Sequence, residues 1–101
     1  MYGKEFYNAK NYTKLQRTIT VGQSDIEVDL SSYKSTASGI ILQSLTSGAA
    51  LKYKLFSSSK PALTLPASSS VPILIADKLY FSNDDAVSVT VDIIIVLQDN
   101  A

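Results

Sequence analysis

Between Ala86 and Leu97 every second residue is apolar: Val87, Val89, Val91, Ile93, Ile95 and Leu97. Ser88, Thr90 and Asp92 hold the other parity, until Ile94 and Val96 turn that side apolar as well. A period of two sends alternate side chains to opposite faces of a β-strand. The segment therefore predicts a strand that is half wet at its start and dry on both faces at its end. Such a strand needs other strands to cover it, which sets the class as all-β.

The same alternation recurs upstream. Leu15, Arg17, Ile19 and Val21 share one face against Gln16, Thr18 and Thr20, and a turn at Gly22-Gln-Ser24 follows. Ile26, Val28 and Leu30 alternate with Asp25, Glu27 and Asp29, a half-buried strand with an acidic outer row. Residues 31–39 are polar and loop-like. Ile40–Leu45 predicts a third strand, and Leu51, Tyr53 and Leu55 point inward between the outward Lys52 and Lys54. Leu63 and Leu65 make a short apolar edge before Pro66. Residues 71–76 contain Pro72, whose missing N–H restricts it to an edge strand or a strand entry. Lys78–Ser82 is a short strand that reaches the closing strand through the turn Ser82-Asn-Asp-Asp85.

No segment carries a helical stripe. Seven or eight short strands with regular turn signals predict a single antiparallel β-sandwich or jelly roll over residues 15–101. Residues 1–14 show neither periodicity and predict an extended N-terminal arm. That arm holds Tyr2, Phe6, Tyr7 and Tyr12, four of the nine aromatic residues of the chain. Rings at that density bury large area at low entropy cost, so they are expected to lie against a partner.

Composition narrows the function. The chain has 101 residues, enough for one core and too few for two, and 46% of them are hydrophobic. Nine cations balance nine carboxylates, so no net field recruits nucleic acid or an anionic membrane. The charges are nonetheless segregated: Lys4, Lys10, Lys14 and Arg17 face only Glu5 near the start, while Asp77, Asp84, Asp85, Asp92 and Asp99 face only Lys78 near the end. This suggests solvated faces, head-to-tail contact between copies, or a basic arm that docks on an acidic partner surface. With no Cys there is no disulfide or thiolate site. No apolar run approaches the roughly 20 residues of a membrane span, and the first residues lack the pattern of a signal peptide. A soluble protein made in the cytosol is expected.

The sequence has no His, which removes Ser-His-Asp and Cys-His nucleophiles and imidazole metal sites. Its four glycines, Gly3, Gly22, Gly39 and Gly48, are isolated, so there is no phosphate-cradling loop. Asn83, Asp84 and Asp85 offer oxygen ligands of the kind Ca²⁺ takes, or simply a solvated turn. Asp25, Glu27 and Asp29 offer carboxylate pairs as glycoside hydrolysis uses them, or the ordinary outer row of a sheet. In both cases the plainer option is favoured, and neither an enzyme nor a cofactor is expected. A glycan- or receptor-binding module is the alternative function, with Tyr33, Tyr53, Tyr80 or the arm tyrosines as candidate platforms.

The strand Ile40–Leu45, the stretch Ala62-Leu-Thr-Leu-Pro-Ala-Ser-Ser-Ser-Val71, and Lys78-Leu-Tyr-Phe-Ser-Asn-Asp-Asp-Ala-Val-Ser-Val-Thr-Val91 together resemble a small β-sandwich module of tailed-bacteriophage virion proteins. The resemblance spans about the last 60 residues, and the arm departs from it. It implies a non-enzymatic virion structural protein of the capsid-decoration (cement) or head-fibre type, made in the host cytoplasm. The partners so implied are other virion subunits and further copies of the chain, without nucleic acid or membrane. Tyr2, Phe6, Tyr7 and Tyr12 are then the expected shell contacts. Ile94 and Val96 are the expected buried or subunit-facing surface.

Overall fold

A computed structural model describes residues 12–98. Eight strands follow one another: β1 (Tyr12–Ile19), β2 (Ile26–Asp29), β3 (Ala37–Ser44), β4 (Leu51–Leu55), β5 (Leu63–Leu65), β6 (Ser70–Ile73), β7 (Lys78–Ser82) and β8 (Val89–Leu97), with a single 3₁₀ turn at Ser31–Tyr33. They form two antiparallel four-stranded sheets, ordered β1-β8-β3-β6 and β2-β7-β4-β5. Strands that follow each other in sequence mostly sit in opposite sheets. The chain thus crosses repeatedly between layers in the double Greek-key order of a jelly roll.

The closing strand lies inside the first sheet. Tyr12 to Ile19 of β1 run opposite Val96 to Val89 on one side of β8, and Ile40 to Ser44 of β3 run opposite Ile95 to Val91 on the other. Its inward residues Val89, Val91, Ile93 and Ile95 are fully buried, packed with Phe81, Leu79 and Leu51 of the second sheet. The alternation in β4 also holds, with Leu51, Tyr53 and Leu55 turned into the core.

Several boundaries differ from those expected. β1 begins at Tyr12, so Tyr12, Thr13 and Lys14 belong to the sheet and not to an arm. The rest of the expected arm, with Tyr2, Phe6 and Tyr7, lies outside the described residues. Val21 lies beyond β1 in an exposed turn, where Gly22 adopts φ +87. β3 starts three residues early, at Ala37, because a bulge at Ser38 lets its hydroxyl donate to the Val96 carbonyl at 3.1 Å. β8 starts at Val89, and Val87 is exposed.

Asn83 explains why β8 starts late. Its side-chain amide donates to the carbonyls of Ile19 and Val87, each at 2.8 Å, and its amide oxygen accepts the Asp85 N–H at 2.9 Å. Its own backbone N–H donates to Gln23, and its carbonyl accepts from Gly22. One buried side chain thereby ties the β1–β2 turn to the β7–β8 loop, and it holds residues 84–88 as a loop that a strand would otherwise occupy. Asn83→Ala leaves three backbone groups to find new partners. It should lower the unfolding free energy by about 3 kcal/mol in urea denaturation with an unchanged slope. A loss under about 0.5 kcal/mol would show that the loop repairs itself.

Candidate functional site

The candidate chemical clusters are absorbed by structure. Asp85 accepts the N–H of Ala86 at 2.8 Å and of Ala50 at 3.3 Å. Asp84 is exposed, 3.9 Å from Lys52, and Asn83 is spent on backbone groups. No group of three metal-ligating side chains occurs among the described residues. In the acidic row, Asp25 pairs with Lys54 at 3.1 Å and Glu27 with Lys78 at 3.7 Å. Hydrogen bonds from the Ser31 backbone and hydroxyl hold the Asp29 carboxyl below its ordinary value, with a smaller pull from Lys78. A general acid needs the opposite shift. The segregated charges meet within one chain: Lys14 of β1 lies 3.7 Å from the buried Asp92 of β8, whose carboxylate also accepts from Gln16 at 3.0 Å.

Ile94 and Val96 sit on the outer face of the first sheet, opposite Lys14 and Tyr12 of β1 and Ile41 and Gly39 of β3. Val96 is 8% exposed and Ile94 half-buried, while Tyr12 is 62% exposed in the same row. Of the other tyrosines, Tyr33 and Tyr80 are half-buried and Tyr53 is buried, so none of the three offers an open platform.

An open apolar feature lies elsewhere, where edge strand β5 of one sheet meets edge strand β6 of the other. A cleft of about 390 Å³ is lined by Tyr53, Leu55, Leu63, Pro72, Ile73 and Leu74. A second lobe of about 280 Å³ shares Leu55 and Leu63 and adds Phe56, Lys60 and Pro61. Its rim is wet apolar surface: Leu63 is 45% exposed, Leu74 67% and Phe56 44%. β4 positions Tyr53 and Leu55 by its inward alternation, which continues to the strand's end at the cleft floor.

Phe56 stands at that end in a strained backbone. Its φ is +75, and Ser57 N–H donates to the Leu55 carbonyl at 2.9 Å, which closes a three-residue γ-turn. A bulky residue there costs of order 1–3 kcal/mol, and such strain gathers at sites that hold ligands. The Phe56 N–H donates to the Lys78 carbonyl at 3.0 Å, which ties the backbone of the turn to β7. The sequence reading named Leu63 and the β6 edge but missed Phe56, because a γ-turn depends on one φ angle that no composition signal marks.

No protein-family model matches this chain, and no curated protein matches it in sequence. Two solved structures share its architecture. A Cupin_2 domain of an XRE family transcriptional regulator from Enterobacter cloacae superposes with a TM-score of 0.63 at 13% identity, over 87% of this chain and 83% of that one. A DUF1255 protein of unknown function from Acinetobacter sp. ADP1 superposes with a TM-score of 0.50 at 12% identity, over 84% of this chain and 69% of that one. At such identities the likeness shows the fold alone. The resemblance to phage modules gains no support from either structure.

Burial pushes the Tyr53 hydroxyl above its ordinary value of 10.0. A raised native value means that the folded state holds its proton more tightly than the unfolded chain does. This contribution is complete below about pH 10 and is lost as pH rises through the native value. Denaturation midpoints should therefore fall above pH 10, and Tyr53→Phe should remove part of that fall. Superimposable alkaline limbs for the two proteins would contradict the burial of this hydroxyl.

Proposed function

We propose that this chain is a non-enzymatic interaction protein that works by covering and being covered by other protein surfaces. The observation that carries the reading is the apolar rim Phe56–Leu63–Leu74 at the meeting of two sheet edges. Apolar side chains left in water beside a concave edge are a surface that a docking partner would cover. The buried core between the sheets is made of aliphatic side chains with Phe81 and Tyr53.

Within that class we favour a virion structural role of the capsid-decoration (cement) or head-fibre kind, with other virion subunits and copies of the same chain as partners. Three features support it. The strand order is the jelly roll, an architecture that viral capsid domains also use. The stretches 40–45, 62–71 and 78–91 resemble the phage-module pattern. Residues 1–11 carry Tyr2, Phe6 and Tyr7 ahead of a strand whose first residue, Tyr12, is exposed. The glycan-binding alternative is weaker, since Tyr33, Tyr53 and Tyr80 are half-buried or buried.

Because β1 starts at Tyr12, the decisive truncation removes residues 1–11 and stops there. A cut through Lys14 would also remove strand pairs with Val96, Ile95 and Ile94. The full chain should sediment as a multi-copy species at micromolar concentration and co-sediment with virion shells. The chain beginning at Tyr12 should keep its unfolding midpoint and lose both properties. A full chain that stays monomeric at millimolar concentration and ignores shells would refute the reading.

A further inference from the structure

Resting on that reading, we propose that the two-lobed cleft between β5 and β6 is the receptor for residues 1–11 of a neighbouring copy, so that the protein assembles arm into cleft. The cleft asks for rings and aliphatic groups. Its lobes of about 390 and 280 Å³ are walled by Tyr53, Leu55, Leu63, Pro72, Phe56 and Pro61. Each is large enough to take an aromatic side chain, whose burial removes roughly 150–250 Å² from water.

Backbone pairing contributes little. β5 has only three residues, closed in by Pro61 and Pro66, and on β6 the missing N–H of Pro72 blunts the edge. An occupant that bound as an added strand would find few partners there. An occupant that brings its own large side chains would find two lobes. Residues 1–11 bring Met1, Tyr2, Phe6 and Tyr7 within seven positions. In an extended chain Tyr2 and Phe6 fall on the same side. Glu5 is the single acid of that segment and Lys60 stands at the lobe rim, a pairing that adds little on an exposed surface.

The point of departure favours a neighbour. The segment joins the body at Tyr12, on the edge of the first sheet farthest from β6. Eleven residues span up to about 36 Å when extended, against about 14 Å across four strands, so the segment is long enough for a neighbour's cleft and also for its own, and the experiment below separates the two. An arm on one edge and its receptor on the other make a head-to-tail contact. Contacts of that type propagate into rings or lattices instead of stopping at a dimer.

The test uses a peptide of residues 1–11, labelled at its C-terminal end, titrated by fluorescence anisotropy into the folded chain that begins at Tyr12. Saturable binding in the ~10 μM range is expected. Leu74→Asp and Leu63→Asp change residues that are already exposed, so the fold should survive, and binding should weaken at least tenfold. A scrambled peptide should not bind. If the peptide fails to bind while the full chain still assembles, the cleft assignment falls and the interaction reading stands. Equal binding to the wild-type and Asp variants also overturns the assignment. If the peptide binds but the full chain is a monomer whose cleft rejects added peptide, the arm docks on its own body and the intermolecular inference is wrong.

Discussion

Everything in this fold depends on β8 being paired on both edges and buried along its inward face. Its inward residues supply the layer against which the second sheet closes. Its outward side is dry at Val96 and half-dry at Ile94, and even the one carboxylate there, Asp92, is buried under Gln16 and Lys14 from β1. A strand with so little tolerance for water has to be central. Placing it between β1 and β3 pushes β6 to the rim of the first sheet, and the jelly-roll order then puts β5 at the adjoining rim of the second. The apolar cleft is thus a consequence of where the central strand must go.

The division of labour follows. The middle of each sheet is bought with burial and needs nothing from outside. The β5–β6 corner has short strands, prolines that limit backbone pairing, and apolar side chains half in water. A strained Phe56 at that corner is stability given up locally, which the rest of the core can support. The fold tolerates this because Asn83 and the Asp92 cluster lock the loops and the outer face around β8.

Period-two patterning gave the elements wherever one face is buried. β4, β7 and the body of β8 read directly from sequence, since Leu51-Lys-Tyr-Lys-Leu55 leaves one register possible. It failed where tertiary hydrogen bonds set the limits. Val87 continues the alternation of β8, yet Asn83 captures its carbonyl and the strand starts two residues later. Tyr12 to Lys14 look irregular alone and become strand only because Val96 to Ile94 lie opposite. Ile94 and Val96 were identifiable as a second apolar face. The cleft was not, because its lining comes from three strands and a γ-turn that are distant in sequence.

Amide hydrogen exchange read residue by residue, in the free and the assembled protein, tests this picture most directly. If β8 is the central constraint, amides of Val91 to Ile95 exchange only through global unfolding and are the slowest in the molecule. Amides of β5 and β6 should exchange orders of magnitude faster in the free chain and become protected on assembly. Exchange from β8 as fast as from the β5–β6 corner, or a corner whose protection is the same in both states, would contradict it.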